Sequence, residues 1–380
     1  MRNWISRQAL LADYTLSALA RRRGRNLALF TVYAGIVFVL ASTMLFTHAL
    51  RREAHALLAH SPEVLVQNLK AGRHAYLTQG DLDRLGRLRG VSRIEGRRWG
   101  YFFDPVFGAT YTLMAPASES PGRGDLHVGD GVARVRGLST GDTLALRSAA
   151  GELHVFTVKK VFSSESSLVA ADLVLMHPAD WEAFFQLPGG VFTDAALSVV
   201  NPLEVRSVAR KIGERLPETR VILREEILRT YEALFDWREG LLLALASLAV
   251  AAFAILAWNQ ASGLSADERR EIGILKAIGW DTRDVLTMKL WEGGLISGAA
   301  FSLGTLGAFV HVFHFEAALI VPVLKGWSVL YPRFVLTPSV DAVSLLTLGL
   351  LTVFPFTLAT LVPAWRAAIT DPDEVMRGTT

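Results

Sequence analysis

The sequence predicts an integral membrane protein with α-helical spans and a large water-exposed α+β domain. Of its 380 residues, 51% are hydrophobic and 20% are charged, and the mean hydropathy is +0.32. This composition is too apolar for an ordinary soluble enzyme and too charged for a chain that lies wholly in lipid. Long apolar runs and one long polar segment divide the chain into these two parts.

Four apolar runs are long enough to cross a hydrocarbon core of about 30 Å. They are Leu27–Leu50, Gly240–Trp258, Leu290–Phe313 and Val340–Val362. No small-residue cleavage pattern ends the first run, and it is longer than the apolar part of a signal peptide. We therefore expect four transmembrane helices, with residues 314–339 as an outer loop between the last two.

The charges around the first span predict its direction. Two arginines follow it, Arg51 and Arg52, whereas six precede it: Arg2, Arg7, Arg21, Arg22, Arg23 and Arg25. By the positive-inside rule the N-terminus is expected in the cytoplasm, and four spans return the C-terminal tail, residues 363–380, to the same side. Residues 1–26, with mixed apolar and basic faces, are expected to form an amphipathic elbow helix; a lipid sensor is the alternative.

Residues 51–239 alternate strand-like and helical patterns, which predicts a folded outer α+β domain. The expected strands are Val91–Tyr101, Thr110–Met114, Leu126–Val135, Thr143–Arg147, His154–Val161, Leu168–Met176 and Ala195–Val200. The expected helices are Gln79–Leu88, Pro178–Phe185 and Pro202–Leu216. A Gly141-Asp142 turn is expected to close a hairpin, and helical stalks are expected at Thr47–His60 and Arg224–Arg238.

A charged island with helix signals lies in residues 259–289, between the second and third spans. Ser265 and Glu268 form a capping box, and further acids favour the start of a helix. At about 100° per residue one side carries Arg269, Gly273, Lys276 and Ala277, and the other carries Ile272, Ile274, Leu275 and Ile278. We expect an amphipathic helix beside the bilayer, with its basic, small-residue side free to meet a partner.

Small residues recur in the third span. Gly294 and Gly298 form a GxxxG pair, and Gly304 and Ala308 repeat the spacing. Such positions let helices approach closely, either within one chain or across a dimer seam. The spans contain no string of charged residues that would indicate a proton or ion pathway, which argues against a proton-driven transporter.

Other residues give weaker indications. The chain has no cysteine, which excludes disulfides and thiolate chemistry, and its net charge of +3 indicates no nucleic-acid partner. We expect no metal, although a soft-ligand site for copper is conceivable at Met44, His48, His55, His311 and His314. The serines around Glu165, at positions 163–167, predict a solvated turn. No catalytic constellation is found, so an enzyme is not expected.

Three segments resemble the MacB/FtsX-type (type VII) ABC transporter permease superfamily. Glu268–Gly279 closely resembles the "ERRREIGILKALG" segment that follows the second span in that family. Pro363–Ala368, with Asp371-Pro372 and Val375–Arg377, resembles its C-terminal ending, although Trp365 replaces a residue that is often basic. Gly129–Leu146 resembles part of a MacB-type periplasmic core domain. With the order of spans, the resemblance covers essentially the whole chain.

The resemblance implies a stand-alone permease subunit in a bacterial inner (cytoplasmic) membrane. Its coupling helix would dock on a separate cytoplasmic ABC ATPase dimer through Glu268, Arg269, Arg270, Glu271, Ile272, Gly273, Leu275, Lys276 and Gly279. This sequence has no G-x-x-x-x-G-K-[ST] loop, so ATP and Mg are expected on the partner ATPase and no cofactor on this chain. The expected partners are also a second permease copy, as a homodimer rather than a heterodimer, membrane lipid, and a periplasmic or outer-membrane protein.

The resemblance leaves the cargo open. The first reading is mechanotransmission, in which ATP-driven motion of the outer domain extrudes or extracts an apolar substrate such as a lipoprotein, lipid, peptide or drug. The alternative is an FtsX-like activator of an outer partner that transports nothing; metal export is a third reading. A transporter predicts an apolar cavity, whereas an activator predicts an exposed protein-docking patch.

Overall fold

A computed structural model describes residues 2–21, 23–59, 61–162, 170–229, 266–321, 329–330 and 336–369, with nine separate positions between 244 and 258. Only the backbone is described at 2–6, 25, 54–55, 57–59, 266–269, 362–363 and 366–368. The chain forms two compact units. The membrane unit comprises Met1–Ala49, Phe235–Ile320 and Thr337–Thr380, and the outer unit comprises Leu50–Leu234 and Val321–Leu336.

The helices follow in chain order. They are α1 (Arg2–Arg21), α2 (Arg23–Ala59), α3 (Gln79–Gly86), α4 (Asp130–Arg136), α5 (Pro178–Phe185), α6 (Val205–Arg215), α7 (Ala266–Ala277), α8 (Thr282–Phe313) and α9 (Ala342–Ile369). A 3₁₀ turn, Pro202–Glu204, precedes α6. Helix α2 supplies residues to both units.

The strands all lie in the outer unit. They are β1 (Val64–Lys70), β2 (Arg73–Ala75), β3 (Leu77–Thr78), β4 (Val91–Asp104), β5 (Ala109–Ala115), β6 (Asp125–Val128), β7 (Thr143–Arg147), β8 (Leu153–Val161), β9 (Leu173–Met176), β10 (Val191–Phe192), β11 (Asp194–Val199) and β12 (Thr219–Leu223).

Three described helices are long and apolar enough to cross a membrane. Their qualifying segments are Asn26–Glu53, Thr282–Phe313 and Ala342–Leu361. With 32 residues, α8 is about 48 Å long at 1.5 Å per residue, so it extends well beyond a hydrocarbon core of about 30 Å. The predicted second span, Gly240–Trp258, lies largely outside the described residues, and the count of four spans stays a prediction.

The outer unit is built on one twisted sheet with the strand order β12-β1-β11-β4-β5-β9-β6-β8-β7, to which β2 adds beside β1. Strand β4 has 14 residues and joins the two halves: its first half pairs with β11 and its second half with β5. Helices cover one face of the sheet. Val208 and Ile212 of α6 belong to the core over the first half, and Trp181 and Phe184 of α5 to the core over the second.

Three sequence predictions for the outer unit are wrong in part. Of the predicted strand Leu168–Met176, only Leu173–Met176 forms a strand (β9), and residues 170–172 do not. The stretch Leu126–Val135 forms β6 and then α4 instead of one strand. Helix α4 is stabilised by an acid in its first turn and arginines in its last, and Gly137 ends it with a left-handed backbone (φ 65°). Because a helix stands between them, β6 and β7 form no hairpin at Gly141-Asp142; β7 pairs instead with β8. Strands β1 and β12 were not predicted.

A buried polar cluster fixes the β4–β5 hairpin to the end of α4. The carboxylate of Asp104 accepts a hydrogen bond from the Tyr111 hydroxyl at 2.7 Å and lies 2.5 Å from Arg136 Nη2. Asp104 and Tyr111 are both almost fully buried. Burial, followed by the Asp104 carboxylate, raises the pKa of Tyr111 from 10.0 to about 12.

Stability at alkaline pH should depend on this tyrosine. Because the folded state holds the Tyr111 proton more tightly than the unfolded state, its contribution is complete below pH 10 and is lost as the pH rises towards 12. Denaturant unfolding followed by tryptophan fluorescence should therefore show a steeper alkaline loss of stability in the native chain than in Tyr111→Phe. Equal slopes for the two proteins would contradict the assignment.

The other face of the sheet carries an exposed aromatic patch, defined by Trp99, Tyr101, Phe103 and Met114. Successive side chains of a strand alternate between faces, so these three β4 residues share the side opposite to Phe102, which packs in the core. Tyr101 and Phe103 are 67% and 61% exposed. The aromatic patch is too apolar for a face that only meets water.

Candidate coupling site and membrane packing

Helix α7 lies between the predicted second span and α8, and its C-terminal end has a defined stop. Gly279 adopts a left-handed backbone (φ 100°), which glycine tolerates best. The N–H of Gly279 donates to Lys276 O at 3.0 Å, and the N–H of Trp280 donates to Leu275 O at 3.0 Å. These two bonds are those of a Schellman motif. Gly279, predicted as a docking residue, is the helix stop.

The two sides of α7 differ from the predicted ones. Ile272 and Leu275 are 3% and 5% exposed, and the helix packs on α9. Ile274 and Ile278, placed by the sequence on the same side, are instead 48% and 68% exposed. The apolar side chains cover a wider part of the α7 surface than the part that contacts α9. Ile274 and Ile278 therefore lie outside this contact.

The exposed side of α7 is therefore mostly apolar. Arg270, Ile274, Ala277 and Ile278 are all exposed, and at 100° per residue they lie on one side of the helix. We call these four residues the docking face. Two isoleucines side by side with one arginine are typical of a protein contact surface rather than of a solvated face.

Next to the docking face, α7 is tied to α1 by a cluster that we call the clamp: Tyr14, Arg21 and Glu271. The Tyr14 hydroxyl donates to Glu271 Oε1 at 2.7 Å, and Arg21 Nη2 donates to the same oxygen at 3.0 Å. The Arg21 guanidinium also lies 5.7 Å from the centre of the Tyr14 ring. Burial, and then Glu271, raise the pKa of Tyr14.

Helix α1 is also attached to the start of α8. Arg7 Nη2 donates to both carboxylate oxygens of Asp284 at 2.7 Å, and Trp291 Nε1 donates to Gln8 Oε1 at 2.9 Å. Leu11, about one turn further along α1, is buried. The elbow predicted for residues 1–26 is thus a helix that packs on the membrane unit.

Four further residues were predicted to take part in coupling: Glu268, Arg269, Gly273 and Lys276. Only the backbone is described for Glu268 and Arg269, at the start of α7. Gly273 is buried, and Lys276 is half-buried and has an interaction partner. Of the C-terminal motif, Trp365 is 50% exposed on α9, and residues 370–380 lie outside the described residues, as do Ser265 and the predicted turn at 163–167.

Sequence reasoning missed the clamp and the Arg7 contact. One signal was present, since Arg7, Tyr14 and Arg21 recur at intervals of seven residues and therefore share one side of a helix. The partner side chains could not be identified, because they lie about 250 positions away in the sequence.

The small residues of α8 divide into two groups. A Cβ atom on Gly304 would lie 2.8 Å from Ala34 O and from Val37 of α2, and Ala308 is fully buried. These two residues serve close packing within the chain. By contrast, no described atom lies within 4 Å of a Cβ added to Gly294 or Gly298. Of the predicted small-residue positions, Gly294 and Gly298 are therefore the ones that we predict to contact a second copy of the chain.

A matched pair of substitutions should separate these roles. Gly304→Leu inserts a side chain against the α2 backbone and should lower the free energy of unfolding by about 2 kcal/mol, a typical cost of overpacking. Gly298→Leu should leave the unfolding of the monomer nearly unchanged. Thermal unfolding in detergent tests both, and a larger loss in the Gly298 variant would reverse the assignment.

The structure provides an alternative role for the main metal candidate, His311. Leu319 N–H donates to His311 Nε2 at 3.1 Å, so this nitrogen carries no proton, and His311 Nδ1 lies 3.1 Å from Ser42 Oγ as its donor. Both ring nitrogens are therefore engaged in joining α8 to α2 and to the turn that follows. The side chain of His55 is not described, and the described residues contain no metal-binding group of three His, Cys, Asp or Glu.

An apolar groove lies on the membrane unit beside α9. It encloses about 630 Å³, and the residues that line it are Ala254, Ile255, Trp258, Pro355, Leu358, Ala359 and Leu361. This size falls in the range of small-molecule sites, and the lining offers almost no hydrogen-bonding groups. The groove is suited to hydrocarbon.

The fold and the site define a class of protein: a membrane protein with an α/β unit and an amphipathic helix exposed beside its spans. Residues 241–372 match the FtsX-like permease C-terminal family. The matched stretch contains 132 of the 380 residues, about a third of the chain. Members of this family are in general non-catalytic transporter subunits.

Two solved structures are similar to part of the chain. One is the extracellular domain of the noncanonic ABC-type transporter YknZ from Gram-positive bacteria, 9% identical, with a TM-score of 0.30 over 42% of this chain and 98% of that one. The other is the periplasmic region of MacB from Actinobacillus actinomycetemcomitans, 10% identical, with a TM-score of 0.31 over 44% of this chain and 92% of that one.

Proposed function

We propose that this chain is the permease subunit of an ABC transporter in which a separate ATPase drives motion of the outer unit. The observation that carries the proposal is the docking face. It is an exposed, mostly apolar surface on a helix that is seated by the buried Ile272 and Leu275 and held to α1 by the clamp beside that surface. A surface of this kind binds a partner protein and passes its displacement to the helices behind it.

The family supports the nature of that partner. ABC permeases work with an ATPase and as oligomers. ATP and Mg would be held by the partner, and α7 would be cytoplasmic by the charge distribution around the first span. Helix α2, continuous from Arg23 to Ala59, would carry the displacement outward. A second copy of the chain would pack at Gly294 and Gly298.

The apolar groove favours an apolar substrate. A hydrophobic drug, a lipid or the acyl part of a lipoprotein could enter a groove of this size and lining without leaving a buried polar group unpaired. We propose extraction or extrusion of such a molecule as the function of the complex.

The aromatic patch favours a second candidate function, the ATP-driven activation of an outer protein. Exposed aromatic side chains on a sheet are frequent anchors of protein interfaces. The two functions can be separated by transport of a fluorescent lipid in vesicles, which an activator would not support.

Site-specific crosslinking tests the docking assignment. Because the chain has no cysteine, Ile274→Cys and Ile278→Cys each introduce a single reactive thiol. After crosslinking in membranes, mass spectrometry should identify an ATP-binding subunit joined to both positions. Leu203→Cys, at a 93% exposed position of the outer unit, is the control and should give no such product. Absence of an ATPase from all products would refute the proposal.

A further inference from the structure

The clamp gives α7 a second connection to the membrane helices. Along the chain, α7 is joined to α8 through residues 278–281. Across the clamp it is joined to α1, which is separated from α2 by a single residue. Displacement of α7 can therefore reach α8 through the backbone and α2 through side chains.

Helix α1 is held at both ends, which makes it suited to carry a displacement. Arg7 binds Asp284 near its start, and Tyr14 and Arg21 bind Glu271 further along. The distance from Arg7 to Arg21 along the helix is about 21 Å at 1.5 Å per residue. A helix attached at two such points follows its neighbours as one body and cannot pivot about a single contact.

The clamp is separate from the apolar contact that seats α7 on its neighbours. Burial of Ile272 and Leu275 already provides the apolar contact that holds the helix. Both donors of the clamp converge on one oxygen of Glu271, and the Tyr14 ring also lies 5.7 Å from the ring of Trp280, next to the helix stop. The clamp thus links the body of α7 and its C-terminal turn to one point of α1.

We propose that Glu271 is a positioning residue through which α7 moves α1 and, through α1, the first membrane helix α2. This inference rests on the proposed function, because the partner ATPase is taken as the source of the displacement. It assigns a second route of coupling, parallel to the covalent route through α8. It also assigns Tyr14 and Arg21 to that route.

The first arm of the test needs no partner. Spin labels on cysteines at Ala277 of α7 and Leu27 of α2, both exposed, report the distance between these helices. The native chain should give one narrow distance distribution. Tyr14→Phe and Glu271→Ala should broaden it about twofold, and Glu271→Gln, which keeps an acceptor oxygen, should restore most of the sharpness. The matched control Tyr76→Phe, at a 39% exposed position of the outer unit, should give the same width as the native chain. Unchanged widths in both clamp variants would overturn the proposal.

The second arm adds the ATPase and ATP, and the label at Ala277, which lies on the docking face, is replaced by one at Leu16 of α1, which is 54% exposed. We expect the native distance to shift on ATP binding, and Glu271→Ala to bind the ATPase within about twofold of the native affinity yet lose that shift. A native shift in Glu271→Ala would overturn the relay and leave the docking assignment intact. Failure of the native chain to bind any ATPase would refute the proposed function instead, and the first arm would still decide whether the clamp couples α7 to α2.

Discussion

Ile278→Glu is expected to weaken association with the partner ATPase by roughly thirtyfold or more, which corresponds to about 2 kcal/mol. Ile278 is 68% exposed on the docking face, so a glutamate there is well solvated in the free permease. In the complex the same carboxylate would be buried without a partner, and desolvation of an unpaired charge is costly. The loss should therefore appear in binding and not in folding. Affinity in detergent or nanodiscs is the measurement.

Leu203→Glu is the matched control for Ile278→Glu. It makes the same change of side-chain type at a 93% exposed position of the outer unit, away from the docking face. Thermal unfolding of both variants should resemble that of the native chain. If Ile278→Glu binds the ATPase within about twofold of the native affinity, α7 does not dock through this face.

Gly129→Ala is expected to destabilise the outer unit by about 3 kcal/mol or more, the upper range for overpacking. A Cβ at this position would lie 1.9 Å from Ala170 O and 2.7 Å from Ala171 O. Both obstacles are backbone atoms, which cannot rotate away as a side chain can. The same segments are joined by hydrogen bonds from Gly129 N to Leu173 O and from Val132 N to Ala171 O, so relief of the clash would break this contact.

Gly213→Ala is expected to stabilise the outer unit, in contrast to Gly129→Ala. Gly213 lies in α6, and a Cβ there would meet no described atom within 4 Å. Alanine should stabilise the helix by about 0.5–1 kcal/mol, because it restricts the unfolded chain more than glycine does. Hydrogen exchange of the intact protein can measure both variants by the protection of α4 and α6. Equal effects of the two substitutions would show that backbone approach at Gly129 is not limiting.

Much of the outer unit could be predicted because its local signals agree with its packing. The strand Thr143–Arg147 and the helix Pro178–Phe185 have the bounds that their patterns predict. The single strand predicted for Leu126–Val135 is wrong. Its second half is a short helix, with Gly129 before its first residue and Gly137 after its last, and the alternating residues fit that helix as well as a strand. Strand β1 was missed because its partners β11 and β12 are more than 100 residues away, so its pairing leaves no local mark.

In the candidate site, too, the sequence predicts the helix, whereas the burial of its individual side chains depends on distant partners. The position and approximate length of α7 follow from its capping and charge pattern. Which isoleucines are buried does not follow, because the width of the surface that receives the helix depends on α8 and α9. The GxxxG spacing likewise predicted close approach, while the choice between Gly304 and Gly298 depended on which side of α8 meets α2.

The sequence by itself determined that this chain has long apolar helices, a separate α+β segment and a charged amphipathic helix. Composition and short-range periodicity carry these features, and they act within about one or two helical turns. The tertiary structure alone decided that Ile274 and Ile278 are exposed and that Glu271 is bound by Tyr14 and Arg21. These facts depend on contacts between residues about 250 positions apart, and only the packed chain brings such residues together.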